Sequence, residues 1–182
     1  MKEYRITKYN PEMRDEDGCF TLDDWTNWAD IGRVFNGEEF SVDEYIETEK
    51  KYIEIASKVI LRKDILTLRI TRLEMPFNES DIAEITDSMK EKSLYMCKED
   101  LALYDEIKNG KSEIHHEEIA SIIRLLLRGF LWCELICKRK LKLYTGYDLY
   151  MYIHCDEISV DLINSERQQN MYIEDMAEVK RK

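Results

Sequence analysis

Asp15, Glu16 and Asp17 run straight into Gly18, and Asp24 follows six residues later, a pattern of carboxylates and glycine that could wrap a calcium ion. Laid over a calcium-binding loop, with Asp15 and Asp17 as ligands and Gly18 at the sharp turn, it puts Met13 at the first ligand position and Asp24 at the last. A thioether is no ligand for so hard a cation, and Asp24 is shorter than the bidentate Glu such loops end on. The run reads as a solvated turn. His115-His116-Glu117-Glu118 would need a second His four residues after His116 to hold zinc on a helix, and position 120 is Ala. Cys133 and Cys137 are one helical turn apart but have no matching Cys or His pair, so they read as small core residues. His154 adjoins Cys155, yet neighbours on a strand point to opposite faces, which opposes a nucleophile and base pairing directly. Gly32, Gly37 and Gly146 sit in no phosphate-cradling loop or dinucleotide fingerprint. The expectation is a protein with no catalytic residue, no metal and no cofactor.

What remains is the segment Asp15–Glu39. It interleaves Asp15, Glu16, Asp17, Asp23, Asp24, Asp30, Glu38 and Glu39 with Phe20, Trp25, Trp28 and Phe35. Acidic groups steer a basic partner toward a surface, and desolvated aromatic rings anchor it, a combination suited to a fast, tight protein interface. The plainer reading makes Trp25 and Trp28 core residues beneath a solvated acidic rim, and the spacing does not choose between the two. The partner-binding candidates are therefore Asp15, Glu16, Asp17, Asp23, Asp24, Trp25, Trp28, Asp30, Glu38 and Glu39.

The elements that would position them follow from periodicity. Glu3–Tyr9 alternates β-formers and stops at Asn10-Pro11, a strand and a turn. Cys19 and Phe20 could begin a short strand, and Thr21–Asp24 opens as a helical turn. Ser41-Val-Asp-Glu44 has capping-box spacing ahead of apolar steps of three and four, which predicts a helix over Val42–Leu61. Ile65–Leu73 alternates as a strand with Leu66, Leu68 and Ile70 on its dry face. Two helices split near Ser93 are expected between Glu79 and Ile107, with Gly110 ending the second. From Ser112 as N-cap, Glu113–Arg139 reads as one long helix with a narrow polar stripe, the expected centre of the core, with Lys138–Lys140 at its negative pole. Leu141–Tyr144 and Tyr147–Ile153 are strands divided by Thr145-Gly146, and the tail beyond Ile173 is expected to fray. The sum is a single α+β domain over 1–182, a small, mainly antiparallel sheet on two or more helices. It comprises an acidic segment 1–40, a helix-rich middle 41–139 and a Tyr-rich strand region with its tail, 140–182.

Composition narrows the partners. The 182 residues are 44% apolar and carry a net charge of −11, with only six Gly and two Pro, so a core is affordable and linkers are few. Residues 1–50 alone hold 6 basic and 14 acidic groups. So negative a chain repels a phosphate backbone, and nucleic acid is not an expected partner. The N-terminus lacks an apolar signal region and the most apolar stretch, Ile119–Ile136, is broken by Arg124, Arg128 and Glu134, so neither export nor membrane spanning is expected. Five cysteines without framework spacing suit a reducing cytoplasm. Asn78-Glu79-Ser80 matches a glycosylation triplet that would matter only on secretion.

Three stretches, Tyr4-Arg-Ile-Thr-Lys-Tyr-Asn-Pro11, Asp24-Trp-Thr26 with Asp30-Ile-Gly32, and Gly146-Tyr-Asp-Leu-Tyr-Met-Tyr-Ile153, resemble a bacterial family of small acidic immunity proteins. That family accompanies polymorphic toxins of the contact-dependent growth inhibition kind. The likeness covers the first forty residues and a stretch near residue 150, and none of its motifs is catalytic. It implies a cytoplasmic protein that binds one cognate toxin domain, commonly a nuclease, and occludes its basic active site or substrate path. A polyanionic inhibitor suits a cleft built to attract phosphate. The alternatives are a regulatory or scaffold protein for another basic partner and, more remotely, a hydrolase pairing Asp23 or Asp30 with a distant Glu, for which no spacing argument exists.

Overall fold

The structure, a computed structural model, describes residues 1–179. The Lys180-Arg-Lys182 end of the tail lies outside them. The architecture is α+β, built on one antiparallel sheet of seven strands, larger than the small sheet expected. The strand β1 (Lys2–Thr7) leads into an irregular acidic segment carrying a two-residue hairpin, β2 (Val34–Phe35) and β3 (Glu38–Glu39). Helix α1 (Val42–Arg62) follows, then β4 (Thr67–Glu74), α2 (Glu79–Glu91), α3 (Lys98–Lys108) and the short β5 (Glu113–His115). Helix α4 (Ile119–Leu127), the strands β6 (Trp132–Cys137), β7 (Leu141–Thr145) and β8 (Met151–Cys155), α5 (Val160–Arg167), β9 (Tyr172–Asp175) and a closing turn α6 (Met176–Val179) complete the chain. The sheet order is β5-β4-β6-β7-β8-β1-β9, so the first strand lies between two of the last three. Strands from all three sequence segments therefore share one sheet.

Alternation along the strands sets the core. Tyr4, Ile6, Leu135, Leu141, Leu143, Met151 and Ile153 are buried in one cluster with Tyr52, Ile55 and Val59 of α1 and Ile122, Ile123 and Leu126 of α4. Their sequence neighbours Arg5, Tyr144, Tyr152 and His154 are only partly buried, on the other face. Helix α1 begins where expected, with the Ser41 hydroxyl accepting from the Glu44 N–H. Asn78, the apparent glycosylation site, instead caps α2 by accepting from the N–H groups of Ser80 and Asp81.

The long helix over Glu113–Arg139 is corrected. That stretch is a strand, a short helix and a second strand: β5, α4 and β6. Gly129, at φ +76°, terminates α4 in a Schellman arrangement, with Phe130 N–H donating to Leu125 C=O and Gly129 N–H to Leu126 C=O. Trp132–Cys137 then pairs with β4 and β7, and Lys138–Lys140 form the tight turn between β6 and β7 rather than a helix end. An apolar run that suits a buried helix suits a buried strand equally, and the glycine decides where one becomes the other. Three smaller corrections follow. Leu66 is 70% exposed, because Asp64 turns at positive φ and the inward face passes to Ile65, Leu68 and Ile70. Thr21–Asp24 forms no helical turn, and Cys19-Phe20 provides only an isolated bridge from Phe20 to Arg14. From Ile173 to Val179 the chain continues through β9 and α6 and packs on β1 instead of fraying.

Candidate protein-interaction surface

The acidic segment is held in shape by its own polar groups. Asp15 Oδ1 accepts from the N–H groups of Asp17 (3.1 Å) and Cys19 (2.8 Å), closing a loop whose tip turns at Gly18 with φ +80°. Asp15, Glu16 and Asp17 stand exposed at that tip. The loop is tied down by Arg14, whose guanidinium meets Glu174 of β9 at 3.1 Å, beside the two bonds Glu174 accepts from Arg5. Burial pushes the Glu174 carboxyl above the usual carboxylate range.

Trp25 is 3% exposed, stacked on Phe40 with ring centroids 4.1 Å apart. Its indole N–H donates to Glu44 Oε1 (3.2 Å), so the Glu44 carboxylate serves Trp25, a tertiary partner the capping-box pattern did not foretell. The Lys8 ammonium lies over the Trp25 ring at 4.0 Å and the Tyr9 ring at 4.4 Å and bonds Asp24. Burial lowers the Lys8 amine below its ordinary value against the pull of Asp24. Asp30 is 8% exposed and accepts from the Thr26 N–H (2.9 Å) and the Arg33 guanidinium (2.6 Å). Burial opposes ionisation there, yet the Thr26 and Asn27 N–H groups and Arg33 hold its carboxyl below the usual range. Trp25 and Asp30 are thereby corrected from contact candidates to internal supports, since both are buried and their polar groups are used inside the protein, by Glu44 of α1 and by Thr26 and Arg33. Asp24 is half-buried and largely committed to Lys8.

Asp23, Glu38 and Glu39 face solvent. Glu38 and Glu39 belong to the hairpin, whose Asn36-Gly37 turn has φ of +53° and +87°, and the Asn36 amide donates to the Asp23 carbonyl at 3.1 Å. The hairpin runs through Phe40 and Ser41 into the first turns of α1, where Asp43, Glu44 and Glu47 are also exposed. Asp23, Glu38, Glu39, Asp43, Glu44 and Glu47 are thus exposed along the hairpin and the helix start that follows it, with the exposed Arg33 on the same hairpin, while Asp15, Glu16 and Asp17 belong to a separate loop. The candidate segment read from the sequence stops at Glu39, so it misses Asp43, Glu44 (read there as a capping residue) and Glu47, and it also misses Val34 (63% exposed) and Ile46 (43% exposed). Beside this surface a cleft of about 240 Å³ is lined by Asp24, Glu44, Glu47, Lys8 and Lys51, with Lys51 paired to Glu47 at 3.1 Å.

Trp28 is half-buried, with its indole N–H donating to the Arg128 carbonyl at the end of α4 (3.1 Å). Elsewhere, His154 and Cys155 take opposite faces of β8, with Cys155 fully buried and His154 Nε2 3.5 Å from both Glu3 and Tyr144. No group of three or more His, Cys, Asp or Glu among the described residues is placed to hold a metal ion, and no helix among them is long and apolar enough to cross a membrane. Comparison with family models, curated proteins and solved structures gave no match.

Proposed function

We propose that this chain is a toxin-neutralising immunity protein of the cytoplasm, binding a basic, nuclease-type toxin domain and occluding its active site or substrate path without chemistry of its own. The observation that carries the reading is the rigid acidic surface formed by the β2–β3 hairpin and the start of α1. Its carboxylates are exposed and its underside is locked by Trp25, Phe40 and Lys8. A preformed acidic surface meets a phosphate-attracting cleft with little ordering cost, and its field accelerates the encounter. The resemblance in the first forty residues and near residue 150 supports the same reading.

The reading expects a toxin gene immediately upstream, and co-expression with the domain it encodes is the test; the absence of such a gene would overturn the reading. The wild-type chain is expected to keep the host alive and to co-purify with the toxin. Reversing Asp23, Glu38 and Glu39 to Lys together is expected to slow association by about 10- to 100-fold while the fold survives, because all three side chains are solvated. Unchanged binding by the folded triple variant would remove this surface from the interface. Death of the host beside the wild-type chain would remove the function itself.

A further inference from the structure

Resting on the immunity reading, we infer that the cleft between α1 and the turn before β9 is a pocket of the interface that takes one arginine side chain of the toxin. Three parts of the chain build it. Thr7 pairs with Tyr172 where β1 lies against β9, which brings Lys8 to the same cleft as Asn170 and Met171. The Lys8 N–H donates to the Tyr52 hydroxyl at 3.1 Å and so fixes this corner to α1. Glu44, Glu47, Thr48 and Lys51 follow one another at helical steps, so one face of α1 forms a wall. Trp25 and Met171, both buried, contribute apolar surface, and the stack of Trp25 on Phe40 makes that side rigid.

The charges around the cleft leave one carboxylate unmatched. Lys8, its side chain 8% exposed, is committed to Asp24 and to the Trp25 and Tyr9 rings, and Lys51 meets Glu47 at 3.1 Å. Glu44 has no cation. Its Oε1 accepts the Trp25 indole N–H at 3.2 Å, and no hydrogen bond or ion pair among the described residues engages its other oxygen. Three carboxylates against two ammonium groups give the lining a net charge of −1, which one guest cation neutralises. Neighbouring cations do not take that place. Lys50 lies 3.9 Å from Glu54, Lys58 is bonded to Glu166 at 2.8 Å, and the exposed Arg167, three residues before Asn170, does not line the cleft. The volume of about 240 Å³ falls below the roughly 300–1,000 Å³ of sites for whole small molecules and suits a single side chain. Glu44 and Glu47 stand one helical turn apart, and a planar fork of five N–H donors reaches both where an ammonium acts as one point charge. Arginine is also among the residues in which binding energy concentrates, and a surface built to attract phosphate presents it.

The test uses the full chain and the upstream toxin domain with its activity disabled, with affinity measured by calorimetry and the Trp25 indole N–H followed by NMR. Because that N–H is bonded to Glu44, a guest at Glu44 moves its signal. Glu44→Gln with Glu47→Gln removes both charges and keeps an amide oxygen for Trp25. Glu84→Gln with Glu91→Gln, both exposed on α2, removes the same charge elsewhere. The cleft variant is expected to bind about 30-fold more weakly, through faster dissociation, and the α2 variant within about threefold, with matching thermal unfolding. The Trp25 signal is expected to shift when the wild-type chain binds. A cleft variant that binds no worse than the α2 variant, or a wild-type complex in which the Trp25 signal stays in place, overturns the arginine pocket and leaves the immunity reading standing. Failure of the wild-type chain to bind the toxin at all overturns that reading and the pocket together.

Discussion

At the scale of single residues, the interior is specified by charges as well as by apolar volume. Glu49 and Arg128 are sealed together, and Asp100, fully buried, accepts two bonds of 2.7 Å from Arg124. Burial would raise the Asp100 carboxyl, but the Arg124 guanidinium and the Ser121 hydroxyl hold it below its ordinary value. Such pairs add little net stability over apolar residues of equal volume, yet removing one partner strands a charge in a dry interior. Glu49→Ala is therefore expected to cost about 3–5 kcal/mol, read from urea unfolding. Glu49→Met with Arg128→Met should cost less than Glu49→Ala alone, despite the bond to the Tyr95 carbonyl that it loses. A double variant less stable than the single one would mean that the pair is a net source of stability rather than a device for fixing where α1, α4 and the Tyr95 turn meet.

At the scale of elements, short-range signals were legible and long-range ones were not. Ser41 and the apolar steps after it place α1 within one residue at its end, and Ser93, at φ +61°, does separate α2 from α3. Those features depend on neighbours in the chain. The stretch 113–139 failed because most of its apolar positions are buried in helix and strand alike, and Gly129 marks the end of α4. The same limit applied to the site. Asp23, Glu38 and Glu39 were readable as exposed carboxylates, whereas the fate of Trp25 depended on Phe40 and Glu44. Gly129 can be tested directly. A β-carbon there would meet nothing within 4 Å, so Gly129→Ala isolates the cost of the left-handed backbone, expected at about 1 kcal/mol in a urea midpoint. A loss several times larger would mean that the β6 register depends on that turn as well.

At the scale of the whole molecule, the negative charge is concentrated in the first fifty residues, and the rest of the chain carries only −3. The sheet closes through β1, inserted between β8 and β9, so the acidic segment that follows β1 is anchored at the sheet interior and again at α1. Residues 1–50 carry a charge of −8 out of the −11 of the chain, and the exposed share of it is concentrated on the hairpin, the loop tip and the first turns of α1. On the proposed reading, a field so placed acts before contact and governs the association rate more than the dissociation rate. Raising salt from about 0.05 M to 0.5 M shortens the screening length from roughly 14 Å to 4 Å. The association rate with the toxin domain is expected to fall at least about tenfold over that range, and the dissociation rate to change by less than about threefold. Stopped-flow mixing separates the two. A dissociation rate that rises with salt as steeply as association falls would place the carboxylates in the bound contact itself, where Asp23, Glu38 and Glu39 would have to be desolvated.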